Sequence, residues 1–126
     1  MLSGCHILVV EDEALIALEL ASVLEDEGAI VVGPAQTIAA AFLLVGSAQM
    51  DCALLDINLR GEKSFAVADA LSKIGVPYAF LTGYADNVIP DRYRDRPTIQ
   101  KPVSLPTMMA TVAALCSQAT LKANRD

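Results

Sequence analysis

Five short apolar runs recur along the chain, most of them followed by a segment whose apolar residues return at helical spacing, and few folds accommodate that alternation. The runs are His6-Ile7-Leu8-Val9-Val10, Ala29 to Gly33, Cys52-Ala53-Leu54-Leu55, Tyr78 to Leu81 and Thr98-Ile99-Gln100. Cys52 to Leu55 reads as a strand buried on both faces and His6 to Val10 as a buried first strand, with the other three as further strands, the last of them brief. Between them, Ile16, Leu20, Val23 and Leu24 mark a helix over about 13–27 that stops at Gly28. Asp12 is placed to be its N-cap. Ile38, Phe42 and Val45 mark a second helix after Thr37, ending at Gly46-Ser47, and Pro34 breaks the strand before it. Phe65, Ala68, Leu71 and Ile74 mark a third, capped by Ser64 and ended by Gly75. Leu105, Met108, Met109, Val112, Leu115 and Cys116 share one face of a last helix capped by Ser104, with a polar, fraying tail after Gln118. Tyr84 to Arg96, rich in charge and holding Pro90, supports only a short or irregular helix. Strand-then-helix units of this size build a parallel sheet with right-handed crossovers, an α/β fold.

Composition narrows the class further. The 126 residues fit one domain, since single cores run to roughly 100–200 residues. With 54% hydrophobic but only 5% aromatic residues, the core is aliphatic. No apolar run reaches the roughly 18 residues of a spanning helix, and the N-terminus has no signal-peptide pattern, so a cytoplasmic protein without membrane association is expected. A formal charge of -6 disfavours nucleic acid as a partner. Cys5, Cys52 and Cys116 are odd in number and sit in or beside apolar segments, which predicts buried free thiols and no disulfide. His6 reads as a satisfied or surface histidine, Met108-Met109 as core, and Arg92, Arg94 and Arg96 as a solvated face.

Polar residues at the strand ends carry the chemistry. Glu11 and Asp12, Asp56, Thr82 and Lys101 each follow a strand, and in a parallel sheet all carboxyl ends lie on one edge. One strand-end acid is a turn residue; three acids, a hydroxyl and a lysine at successive strand ends are a site. Clustered carboxylates repel, which raises a pKa or demands a cation. An all-oxygen donor set favours a hard divalent ion such as Mg²⁺. A metal at an acidic edge admits a phosphate, so the set points to phosphoryl transfer. In it, Asp56 is the nucleophile, Asp12 and Glu11 hold Mg²⁺, Thr82 donates to one phosphoryl oxygen and Lys101 pairs with another.

Glu11-Asp12, Asp56, Thr82-Gly83 and Lys101-Pro102, in this order at these strand ends, closely resemble the receiver domain of two-component response regulators. The resemblance covers essentially the whole chain and implies a flavodoxin-like (βα)5 doubly wound sheet of order 2-1-3-4-5 in one receiver domain, residues 1–126, without an output domain. It further implies a phosphohistidine donor on a sensor histidine kinase or histidine phosphotransfer protein, the Asn58 backbone carbonyl as a Mg²⁺ ligand together with Asp56, and a cis peptide before Pro102. A downstream protein target, and a monomer or phosphorylation-dependent dimer, complete the expectation. Such domains usually carry Tyr or Phe three residues before the lysine, where this chain has Thr98. Phe80-Leu81-Thr82-Gly83-Tyr84 resembles a subgroup of single-domain regulators, often alphaproteobacterial, with a Phe-Ala-Thr-Gly motif, and Tyr84 is expected to take over switching beside Thr82.

Three other readings compete. An Asp-nucleophile phosphohydrolase of the haloacid-dehalogenase type would place a second Asp where this chain has Asn58. A flavodoxin-like cofactor binder would offer amides to a phosphate where Glu11-Asp12-Glu13 repel one. A phosphorylation-independent scaffold would have no use for Asp56 and Lys101 together.

Overall fold

In the computed structural model, which describes residues 2–83 and 89–125, seven strands and four α-helices follow one another. The strands are β1 (His6–Val10), β2 (Ile30–Ala35), β3 (Cys52–Asp56), β4 (Asn58–Leu59), β5 (Glu62–Lys63), β6 (Tyr78–Thr82) and β7 (Thr98–Gln100). The helices are α1 (Ala14–Asp26), α2 (Ile38–Ser47), α3 (Phe65–Lys73) and α4 (Leu105–Arg125). A five-stranded sheet runs β2-β1-β3-β6-β7, all parallel. Its five strands, numbered among themselves, give the expected 2-1-3-4-5. What the sequence did not signal is the extra antiparallel hairpin, β4 with β5. It forms where a turn was expected, because Arg60 (φ 52°) and Gly61 (φ 86°) both take left-handed backbone.

Period two along each inner strand sorts side chains onto two cores. Ile7 and Val9 of β1, Cys52 and Leu54 of β3, and Ala79 and Leu81 of β6 meet Leu20 and Leu24 of α1 and Met108, Val112 and Leu115 of α4. Leu8 and Val10, Ala53 and Leu55, and Tyr78 and Phe80 meet Ala41 of α2 and Val67, Ala68 and Leu71 of α3. Each fully buried aliphatic side chain contributes roughly 1.5–3 kcal/mol, so the central strands dominate cohesion.

Several local expectations need correction. Pro34 does not end β2, which continues to Ala35. β2 is an edge strand, so the missing N–H interrupts no ladder. Gly33 (φ 92°) lets it bend, since a Cβ there would lie 2.7 Å from Ala35 N and 3.2 Å from Val9 O. The N-cap of α1 is Glu13, not Asp12. Ser64 stands at the N-cap position of α3, but its side chain caps nothing. Helix α4 does not fray after Gln118; it runs on to Arg125, because Ala119, Leu121, Lys122 and Ala123 are helix formers with no breaker among them.

The thiol expectation also fails. Cys5 and Cys116 are joined as a disulfide, and only Cys52 is free. A separation of 111 residues hid the pair, since nothing local indicates that the start of β1 lies under α4. Thr98-Ile99-Gln100, Met108 in the core and the cis Lys101–Pro102 bond match expectation; a second cis bond precedes Pro34. Before β7 the chain makes a 3₁₀ turn, Asp91–Tyr93. The arginines there form the expected solvated face, with Arg92 and Arg94 exposed, and each has a partner. Arg92 pairs with Asp69 (3.2 Å), Arg94 with Asp91 (3.1 Å), and Arg96 lies over the Tyr78 ring. No described helix is long and apolar enough to cross a membrane.

Candidate functional site

The alternation that builds the cores also aims the site. Glu11 lies two residues beyond Val9, Asp56 two beyond Leu54 and Lys101 two beyond Ile99, so all three continue rows that face α1 and α4. They meet accordingly. Lys101 Nζ donates to Asp56 Oδ2 at 2.8 Å and to Glu11 Oε1 at 3.3 Å. Glu11 is fully buried and Asp56 is 3% exposed, whereas Asp12 is half-buried. The carboxylates of Glu11, Asp12 and Asp56 bring oxygens within 4.8 Å of one another.

Backbone contacts fix these carboxylates. Asn58 N donates to Asp56 Oδ1 (3.2 Å), Glu13 N to Glu11 Oε1 (3.1 Å) and Arg60 N to Asp12 Oδ2 (3.0 Å). Asp12 is therefore tied to the β4–β5 hairpin across the edge, which explains why it does not cap α1. Ser64 Oγ donates to the Asp56 carbonyl oxygen at 2.6 Å, and Ser64 N to the Ile57 carbonyl at 2.8 Å. Sequence reasoning missed that support, because a serine before a helical segment looks the same whether its hydroxyl accepts from the helix or donates to a carbonyl elsewhere. Thr82 ends β6 one position beyond Leu81, the register partner of Asp56, and is half-buried. The carbonyl of Thr82 accepts from Lys101 N at 2.7 Å, locking the last two strand ends together.

The electrostatics favour a cation. Burial pushes the Glu11 carboxyl up to about 7; hydrogen bonding to Lys101 opposes this and the Asp56 charge adds to it. Burial alone would lower the Lys101 pKa, but its bonds to Asp56 and Glu11 prevail and raise it. Three carboxyl groups face one ammonium, so the cluster stays acidic even when Glu11 holds its proton. Glu11 Oε2, 3.0 Å from Lys101 Nζ, receives no directed hydrogen bond, and Asn58 Oδ1 is buried without a partner. An all-oxygen set with an undirected carboxylate oxygen fits a hard divalent ion. Chemically, the arrangement presents a carboxylate held between an ammonium and a cation-seeking acidic cluster.

A second network lies behind Ser64. Phe65 stacks on Tyr93 with ring centroids 4.9 Å apart, and Phe80 meets both edge-on. Tyr93 Oη donates to Asp69 Oδ1 at 2.5 Å and to the Phe65 carbonyl at 3.2 Å. Burial, then the Asp69 bond, pushes the phenol up to about 12. Thr98 is exposed on β7, opposite Phe80. Tyr84 lies outside the described residues.

Comparison with known proteins places these features in context. SdrG from Sphingomonas melonis Fr1, in a solution structure, is 43% identical with a TM-score of 0.80, over 91% of this chain and 98% of SdrG. The BeF3-activated conformation of SdrG from Pseudomonas melonis Fr1 aligns at TM-score 0.76 and 43% identity, over 92% of this chain and 99% of that one. The phyllosphere-induced regulator PhyR of Methylorubrum extorquens is 34% identical over 117 residues, 90% of this chain. This chain spans 43% of PhyR's length. The family model for the response regulator receiver domain matches residues 7–113.

Proposed function

The chain belongs to the response regulator receiver domain family, and on that premise we propose that Asp56 accepts a phosphoryl group from a phosphohistidine on a sensor kinase or phosphotransfer protein. Members of the family are signalling modules of two-component systems. The observation that carries the reading is Asp56 Oδ2 2.8 Å from Lys101 Nζ, beside two further carboxylates at the same sheet edge.

Glu11, Asp12, Asp56 and the Asn58 backbone carbonyl would hold Mg²⁺. Bound there, the ion supplies charge neutralisation to the incoming phosphoryl oxygens. The chain's own groups do the rest. A carboxylate oxygen of Asp56 forms the bond to phosphorus while the phosphorus–nitrogen bond to the donor imidazole breaks. Asn58 N holds the other side of the carboxylate, and Ser64 Oγ anchors its backbone. Lys101, already bonded to Asp56, follows the new charge onto a phosphoryl oxygen, and the Thr82 hydroxyl donates to another. The carboxylate begins half-neutralised and pre-aimed, so little reorganisation precedes transfer.

The phosphorylated form differs from the resting one in what Lys101 and Thr82 bind, and that difference shifts the population between two conformations. SdrG has a BeF3-activated conformation, and we extend the expectation of an activated state to this chain. We assign switching to Thr82 together with Tyr84 and Thr98. We read residues 1–126 as one receiver unit that signals through protein contacts and not through nucleic acid, and that is not a turnover enzyme. The test is incubation with acetyl phosphate and Mg²⁺ followed by intact-mass measurement. One added phosphoryl group, absent in Asp56→Asn, is the expected result; equal addition in the variant overturns the reading.

A further inference from the structure

Three sulfur atoms meet where the amino ends of β1 and β3 run beneath α4. Cys5 and Cys116 form a disulfide with Cα atoms 6.4 Å apart, and Cys52 Sγ lies 3.9 Å from Cys116 Sγ. All three Sγ atoms fall within 4.8 Å of one another. We propose that Cys5, Cys52 and Cys116 are a thiol–disulfide site that reacts with low-molecular-weight disulfides, with Cys116 the sulfur shared by two alternative partners, and that its state governs the attachment of α4 to the sheet. Nothing in this depends on Asp56 or on phosphorylation.

Accessibility sets the order of events. Cys116 is half-buried, Cys5 is 9% exposed, and Cys52 is fully buried in the core that α4 covers. A small disulfide therefore meets Cys116 first. The Cys116 thiolate attacks one sulfur, a mixed disulfide forms, and one small thiolate leaves. The Cys5 thiolate then attacks Cys116 Sγ and expels the second small thiolate. Two protein thiols lose two protons and two electrons, and one small disulfide becomes two thiols. Cys52 is slower in this step: burial, with the Asp51 charge adding, pushes its thiol up to about 12, so little of it is thiolate and Cys5 attacks first when both are present. Its position 3.9 Å away makes it the substitute when Cys5 is missing.

The mechanical consequence follows from packing. Met108, Val112 and Leu115 hold α4 on the sheet by apolar contact alone, and the bond at Cys116 adds a covalent tie one residue past Leu115. Reduction leaves the contacts and removes the tie.

The experiment uses the full chain, reduced with a phosphine, freed of reductant, then incubated with glutathione disulfide. The expected result is a mass lower by two hydrogens, a Cys5–Cys116 cross-linked peptide in a non-reducing digest, and Cys52 as the thiol alkylated after unfolding. In Cys5→Ala the link moves to Cys52–Cys116. The thermal midpoint of the unaltered chain falls on reduction, and Cys116→Ala lacks that shift. Three thiols still open to alkylation after oxidation, links only between chains, or an unmoved thermal midpoint overturn the proposal. So does uptake of one zinc ion by the reduced chain with protection of all three thiols, which would assign the cluster to a metal. Should a variant fail to fold, the unaltered chain alone decides.

Discussion

The same two rows of side chains end in opposite chemistries. On β1 the row Cys5, Ile7, Val9, Glu11 and on β3 the row Cys52, Leu54, Asp56 both face α1 and α4. At the amino edge they present sulfur under α4, and at the carboxyl edge they present carboxylates to Lys101. At the amino edge α4 covers Cys52, whose thiol stays neutral, while Cys5 and Cys116 are tied covalently. The carboxyl edge keeps buried charge, which persists only because an ammonium and backbone amides face it. One row thus holds a sulfur-bearing end suited to covalent bonds and a charged end suited to ions.

Breaking the charged end should have the largest effect. Asp56→Asn is expected to abolish phosphoryl uptake from acetyl phosphate, whereas Cys52→Ala keeps it; intact mass reads both, and loss in both would erase the division between the edges. Chelation of Mg²⁺ should slow uptake at least about tenfold, measured by quenched time points. An unchanged rate would mean that Lys101 alone suffices at the acidic cluster.

Stability sharpens the contrast at smaller scale. Cys52→Ser puts a hydroxyl among apolar neighbours and should cost about 1–3 kcal/mol in urea unfolding, clearly more than Cys52→Ala. A serine that costs no more than alanine would show that the surroundings of Cys52 are not dry. Ser64→Ala removes the donor to the buried Asp56 carbonyl and should cost about 1–2 kcal/mol, with phosphoryl uptake retained. A carboxylate on neither edge supplies the smallest effect. The Tyr93 hydrogen bond, with Arg92 beside it, holds Asp69 below its ordinary 3.8. What Asp69 contributes is complete above 3.8 and is lost as pH falls through its lower folded value. Asp69→Asn should flatten the acid limb of a plot of thermal midpoint against pH; an identical limb would mean that the Tyr93–Asp69 contact adds nothing.

The two edges also differ in how far sequence revealed them. Glu11, Asp56 and Lys101 were legible because a charged residue ending an apolar run is conspicuous, and a parallel sheet sends every such end to one side. The cysteines were not, because sulfur at the start of an apolar run looks like more core, and Cys116 reaches Cys5 only through the docking of α4. Ser64 was seen but given the wrong partner, since its hydroxyl donates to the Asp56 carbonyl instead of accepting from a helix N–H. Pro34 misled because nothing local tells an edge strand from an inner one. The Tyr93 network escaped notice because its partners, Phe65, Asp69 and Phe80, come from two other elements. The fold class was carried by the runs themselves, since a parallel sheet covered by helices buries the three inner ones, β1, β3 and β6, on both faces and leaves β2 and β7 as edges.

The register of β1 against β3, with Val10 opposite Leu55, bears on how this chain tolerates changes of length. One residue inserted between Cys52 and Asp56 would exchange the two faces of β3 beyond that point. The carboxylate would leave the row shared with Glu11, and an insertion before Leu54 would also send Leu54 and Leu55 each to the opposite core. A residue inserted at Arg60-Gly61 flips no strand of the five-stranded sheet, because that turn is exposed and lies outside it. Descendants of this sequence should therefore vary in length at the hairpin and hold it constant from Cys52 to Asp56.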